Sequence, residues 1–289
     1  MLKKRIAAVL LVQNGIVVQS IGFGKYLPIG KPEIAVEFLN EWGIDEIILL
    51  DISATRLMKP PDIEMVNRVA KKCFVPLTVG GGITTLDHVS RLIRNGADKI
   101  AINQIAINSP NFINDVADIY GSQCVVASID VCKTNNGKYR VFDYISSLKI
   151  KLTPEELAKK YSDNGAGEIL LNSVDRDGSK AGFDLDLIAL ISESISVPVI
   201  CCGGAALPSH FLEVFTKTNV EAAAAANFFH YTEHSVTSLK GFLQNEISIR
   251  HDTQAKYLGS TLDKYGRLLK KTDDELDRMK FSIIEKEII

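Results

Sequence analysis

The chain repeats itself. The stretch GIDEIILLDISATR (43–56) realigns with GAGEILLNSVDRDG (165–178), and VPLTVGGGI (75–83) realigns with VPVICCGGA (197–205), both at an offset of 122 residues. A constant offset across two separated segments marks a duplicated structural unit. Each copied segment is an apolar, β-rich run followed by a turn and a stretch of helical period, so the unit consists of strand–helix pairs. Over the whole chain, strand-length runs fall at 6–12, 46–52, 75–81, 98–103, 124–131, 167–173, 197–203 and 220–226. They alternate with helical patterns near 32–42, 61–72, 84–95, 109–120, 153–164, 184–195, 207–218 and 235–246. Eight such pairs, four to each half, fit one closed parallel sheet. The expected fold is therefore α/β, a (βα)8 TIM barrel over residues 1–246 with a half-barrel internal repeat.

Local signals agree. Thr153-Pro154 sets a capping hydroxyl before a proline suited to the first helical position, and Glu156 completes a capping box. Asn95-Gly96 and Asn164-Gly165 put glycine where a helix ends in the left-handed conformation. Composition excludes other classes: 46% hydrophobic and 24% charged residues describe a soluble globular protein, and a net charge of −2 offers no basic footprint for nucleic acid. Cys73, Cys124, Cys132, Cys201 and Cys202 lack CxxC spacing and lie mostly in apolar runs, so they read as small hydrophobes rather than disulfides or zinc ligands, and no metal is expected. MLKKRIAAVLLVQNG has the charge and apolar run of a signal peptide, but the run is short and no small-residue cleavage site follows. It reads as a first strand; no membrane segment and a cytoplasmic location are expected. From 247 to 289 the sequence becomes charge-rich, and Thr272-Asp273-Asp274-Glu275 opens a helical pattern with Leu276, Met279 and Ile283 on one face. This C-terminal extension packs on the barrel, trails from it or docks a partner.

In a parallel barrel the C-terminal strand ends form the active face, so polar residues and glycines that end apolar runs are the first candidates for chemistry. VGGGI (79–83) and CCGGA (201–205) place Gly81, Gly82, Gly203 and Gly204 ahead of helix N-termini, whose amides favour an anion. The neighbouring strand ends are Ala101-Ile102-Asn103 and Ala226-Asn227. Two repeat-related sites imply a ligand with a phosphate at each end, unless the glycines serve only tight turns. Asp51 and Asp130 end the second and fifth runs, and Asp175-Arg176-Asp177-Gly178 follows the sixth. A carboxylate there suits proton transfer, as for Asp130 in its otherwise apolar run, or caps a turn. Arg176 equally suits a structural ion pair.

GIDEIILLDI, PLTVGGGI, NGADKIAIN, SIDV, GAGEILLNSVDRDG and CCGGA, in this order and spacing, resemble the HisF family, the cyclase subunit of imidazole glycerol phosphate synthase. The resemblance extends from MLKKRI through KGFLQ near residue 244, about 85% of the chain. It implies a barrel that receives ammonia from a HisH-like glutaminase bound at the N-terminal face of the strands. The ammonia passes up the barrel to a bis-phosphorylated ribulosyl substrate, which is cleaved and cyclised at the top, and no cofactor is implied. Carried over by position, the resemblance assigns catalysis to Asp130, and phosphate binding to Gly81, Gly82, Asn103, Asp177, Gly178, Gly203 and Gly204. The ammonia gate falls on Arg5, Glu46, Lys99 and Glu168, and Asp98 falls at the glutaminase interface. The same four charges would also serve as a salt-bridge layer closing the barrel bottom.

The chain departs from the family at the top face. The second catalytic aspartate falls on Leu11, a basic loop residue on Gln19, an Arg-Asp pair on Leu27-Pro28, and a Gly-Lys-Lys-rich segment on ISSLKIK (145–151). Loss of one of two proton-transfer groups lowers a rate by roughly 10²–10⁴. Retained gate charges with a lost aspartate resemble a branch of HisF-like proteins that act with a glutaminase and an N-acetyl sugar amidotransferase. That branch converts an acetamido to an acetamidino group in surface-polysaccharide or nonulosonate synthesis. The alternatives are a histidine-pathway cyclase that uses Asp130 with a replacement acid, Asp51 being nearest by strand position, and a non-catalytic barrel that binds a phosphorylated small molecule or phosphate ions.

Overall fold

The computed structural model describes residues 3–230 and 234–250, together with 263, 269, 272–274 and 278. Its strands are β1 (Arg5–Gln13), β2 (Ile16–Ile21), β3 (Lys25–Gly30), β4 (Glu46–Asp51), β5 (Leu77–Gly80), β6 (Lys99–Ile102), β7 (Val125–Lys133), β8 (Tyr139–Asp143), β9 (Leu148–Lys149), β10 (Glu168–Ser173), β11 (Val199–Cys202) and β12 (Ala222–Ala225). Its helices are α1 (Pro32–Glu41), α2 (Ile63–Ala70), α3 (Leu86–Arg94), α4 (Gln104–Asn108), α5 (Asn111–Tyr120), α6 (Pro154–Asp163), α7 (Leu185–Ser194), α8 (Pro208–Lys217) and α9 (Ser235–Leu243). Strands β1, β4, β5, β6, β7, β10, β11 and β12 are parallel neighbours in that order, and β12 returns to β1. The sheet is closed, with helices between successive strands: a (βα)8 barrel.

Burial on both faces explains the unbroken apolar runs of the strands. In β1, Ile6, Ala8, Leu10 and Val12 pack outward toward the helices, while Ala7 and Val9 join Ile48, Val126, Leu170, Ile200, Ala222 and Ala224 inside the barrel. Leu11 packs against that inner cluster. The alternation of a strand therefore puts Arg5, Ala7, Val9 and Leu11 in one inward row, from the bottom of the barrel to its top.

Among the described residues, four further strands lie outside the barrel. Asn14 and Gly15 have φ of 51° and 80°, and Gln13 pairs with Ile16, so the dipeptide that closes the first run is a two-residue hairpin turn into β2. β2 pairs in turn with antiparallel β3, and β7 continues into the antiparallel β8 and β9.

Acidic residues just before three strands fix the barrel's lower edge. Asp45 Oδ2 accepts from Ile6 N at 2.8 Å, Asp98 Oδ2 from Leu77 N at 2.8 Å, and Glu221 Oε2 from Val199 N at 3.1 Å. Asp45 Oδ1 also receives Lys240 Nζ at 2.6 Å, a buried ion pair that joins α9 to the start of β4. Lys4 N donates to Ser248 O at 2.9 Å, so the chain touches the barrel bottom again after α9. The expected tail helix with Leu276, Met279 and Ile283 lies outside the described residues. Among the described residues no helix is long and apolar enough to cross a membrane, no His/Cys/Asp/Glu group is arranged to hold a metal, and the five cysteines are free.

Candidate functional site

Asp130, near the C-terminal end of β7, is buried at the top of the barrel interior. Its two carboxylate oxygens are each held by an amide: Asn172 Nδ2 donates to Oδ1 and Asn103 Nδ2 to Oδ2, both at 2.8 Å. Burial pushes its carboxyl up to about 6; the two amides oppose the rise, and the charges of Asp177 and Asp143 add to it. A carboxyl in that range both takes and returns a proton near neutral pH. Asn172 was not among the residues singled out, although it interrupts the run EILLNS as Asp130 interrupts its own.

Leu11 lines the same cavity of about 130 Å³, with Leu50, Phe23, Tyr26 and Tyr144 among its other walls. It pairs with Leu50 of β4 and Val18 of β2, so the inward row of β1 ends in an isobutyl group. Asp51 lies on the cavity wall, but its Oδ1 is engaged by Ser53 N at 2.9 Å, Ser53 Oγ at 2.7 Å and Ala54 N at 3.1 Å. Three local donors make Asp51 a turn-fixing residue.

Gly81 and Gly203 adopt φ of 109° and 110°, and a Cβ on either would stand within 3 Å of a backbone oxygen, that of Asp51 or Ser173. The duplication thus preserves the conformation of the loop as well as its sequence. The two loops differ in surroundings. Gly82 N donates to Thr55 Oγ1 at 3.2 Å, and Asn103 Oδ1 and Gln104 Oε1 are buried with no partner, next to the smaller cavity. Gly178, Gly203 and Gly204 line a second hollow of about 560 Å³ with Lys180, Asn227 and Ser235. Asp177 is brought to the edge of both cavities, but its Oδ2 accepts from Ser20 Oγ at 2.6 Å and from Phe23 N at 3.1 Å. Asn227 adds two bonds to Ser20, accepting from its N at 3.3 Å and donating to its O at 2.6 Å. The β2–β3 turn is therefore fastened across the top of the barrel onto β10 and β12 neighbours.

The opposite end is charged. Arg5, Glu46, Lys99 and Glu168 are the first residues of β1, β4, β6 and β10, and they form a closed ring. Arg5 bridges Glu46 at 2.7 Å and also Glu168, while Lys99 bridges Glu46 at 3.0 Å and Glu168 at 2.5 Å. Thr78 Oγ1 supports Glu46 at 3.2 Å. Burial alone would raise the Glu168 carboxyl, yet the charges of Arg5 and Lys99 hold it below its ordinary value. Glu46 and Glu168 are related by the 122-residue offset, so one acidic half of the ring belongs to each copy of the unit.

The histidine biosynthesis protein family matches over residues 5–235. A Vibrio vulnificus protein provisionally named imidazole glycerol phosphate synthase subunit hisF2 is 41% identical over 268 residues, 92% of this chain and 98% of its own. The imidazole glycerol phosphate synthase subunits HisF of Bacillus cereus and Streptococcus gordonii are 44% and 43% identical, over 85% and 84% of this chain and 97% of theirs. With its closed barrel, duplicated glycine loops and ring of charges, the chain belongs to the histidine biosynthesis protein family, as a HisF-like member.

Proposed function

We propose that this chain is the ammonia-accepting synthase subunit of a glutamine amidotransferase of the imidazole glycerol phosphate synthase type. The observation that carries the reading is the pairing of opposite ends: a ring of four charges at the strand starts, and a buried carboxyl with a pKa of about 6 beyond the same barrel interior. A HisH-like glutaminase at the N-terminal face supplies ammonia to the ring. Asp130, held by Asn103 and Asn172, moves protons as ammonia reacts with a bis-phosphorylated ribulosyl substrate. The substrate's two phosphates rest on the repeat-related loops, Gly81 and Gly82 with Asn103, and Gly203 and Gly204 with Gly178. Names of the HisF relatives support ring closure as the reaction.

Leu11 favours a second reading. An isobutyl group exchanges no proton, and Gln19 and Leu27-Pro28 leave β2 and β3 without the expected charges. Under that reading the barrel passes ammonia on to an N-acetyl sugar amidotransferase, which uses it to amidate a sugar acetamido group. The test supplies ammonium and the bis-phosphorylated ribulosyl substrate to the wild type and to Leu11→Asp. Ring closure predicts turnover in the wild type that Leu11→Asp raises by roughly 10²–10⁴. A wild type at background removes the ring-closing reading. Transfer of ¹⁵N from glutamine to the acetamido sugar in the three-protein mixture then establishes the second.

A further inference from the structure

We infer that His88 and His210 are positioning residues that hold the two glycine loops ready for the substrate's phosphates, an inference that rests on the ring-closing form of the reading above. The two histidines are related by the 122-residue offset, although LDHV (86–89) and PSHF (208–211) share no other residue. Each is the third residue of the helix that follows its loop, α3 or α8. Each makes the same bond back to the loop: Thr84 N donates to His88 Nδ1 at 3.3 Å, and Ala206 N to His210 Nδ1 at 3.2 Å. Thr84 and Ala206 stand at the same offset, so the two copies keep this bond while differing in the sequence around it.

Glycine gives such a loop its turn and also its slack, because it restricts its own backbone angles least. The bond to Nδ1 fixes the peptide that joins the glycine turn to the helix start. An anion that meets a loop already ordered leaves less freedom to be lost on binding. The second loop is braced further: a Cβ on Gly182 would lie 3.5 Å from the His210 ring, and Gly182 N donates to Gly204 O at 2.9 Å. A ring nitrogen that accepts an N–H carries no proton, so each imidazole is the neutral form with its proton on Nε2. Burial holds His210 toward that form, against the pull of Glu213. Uncharged rings leave the positive end of each helix to the phosphate. Both histidines act through the loop backbone, without a bond to the ligand.

The test measures Kd for the bis-phosphorylated ribulosyl substrate by calorimetry at pH 8, without ammonium, so that nothing turns over. His88→Leu and His210→Leu remove the acceptor and are each expected to weaken binding by about 5–10-fold. The double leucine variant should lose about the product of the two, because the loops hold opposite ends of one ligand. Asparagine places its Oδ1 where the imidazole places Nδ1, so His88→Asn and His210→Asn should stay within about twofold of the wild type. Wild-type affinity in the double leucine variant, whatever its melting temperature, makes the histidines helix caps only; it overturns the inference and leaves the phosphate reading of the loops standing. An asparagine variant as weak as its leucine counterpart also overturns it, since the bond is then not the cause. A wild type that does not bind the substrate overturns the phosphate reading and the inference together.

Discussion

Asp130 carries an energetic burden of the kind that the proposed proton transfer calls for. Its carboxyl titrates at about 6 instead of 3.8, so the folded protein opposes its ionisation. The sign follows from linkage: the penalty is absent below pH 3.8, grows between 3.8 and about 6, and is constant above. Replacement by asparagine removes the charge. It also turns one acceptor oxygen into a donor, which would face the amide of Asn103 or Asn172; Asn103 Oδ1, buried with no partner, becomes the acceptor if that amide turns over. Asp130→Asn is therefore expected to be inactive and yet more stable than the wild type by about 1–3 kcal/mol at pH 8. The gain should vanish below pH 4, as read by denaturant unfolding at the two pH values. An equal difference at both would remove burial as the cause of the raised pKa. Leu11 shows the converse economy, since an isobutyl group completes the inner apolar cluster without such a burden.

At the scale of elements, the barrel is closed by polar bolts as well as by its core. Lys240 of α9 and Asp45 before β4 are almost wholly buried together, and Asp45 in turn holds the N–H of Ile6 in β1. Breaking a buried pair from one side leaves an uncompensated charge. Lys240→Ala should lose about 3–5 kcal/mol in chemical unfolding at pH 7, with a smaller deficit at low pH, where a protonated Asp45 needs no cation; Lys240→Met with Asp45→Asn should recover most of it. A deficit that ignores pH would mean that lost packing of the lysine stem, not the stranded carboxylate, is responsible. Barrel elements were legible because strands buried on both faces give unbroken apolar runs, such as EIILLD, and helices give capping signals, such as Thr153 with Glu156. The excursions were not. Asn14-Gly15 is a strong hairpin signal, but β2 and β3 continue apolar sequence that reads equally as strand end and loop. In the site, Asp130 stood out as polar within an apolar run, whereas the fastening of Asp177 to Ser20 joins residues 157 apart and has no local trace.

For the whole molecule, the charged ring and the top cavity lie at opposite ends of one packed barrel interior, and both arginine and lysine of the ring are bridged to both glutamates. A ring that only plugs the barrel and a ring that admits ammonia have the same static geometry, but they differ in what its loss does to two nitrogen sources. On the gating reading, free ammonium reaches the top cavity from solvent, while ammonia released from glutamine crosses the ring. Lys99→Ala leaves Glu46 and Glu168 sharing Arg5 alone, and because the ring is partly open to solvent the loss of stability should be about 2 kcal/mol. Acid sharpens the comparison. Glu168 is held below 4.5, so its contribution is complete above that value and is lost as pH falls through the lower folded-state value. The wild type should therefore lose its stability advantage over Lys99→Ala at acid pH, where the lysine's partner is neutralised. At neutral pH, gating predicts that Lys99→Ala changes glutamine-driven turnover of the glutaminase complex and leaves ammonium-driven turnover at the wild-type rate. A plug predicts that both fall together, in step with the unfolded fraction. Steady-state rates with the two nitrogen sources, taken on the same preparation well below its melting temperature, decide between them.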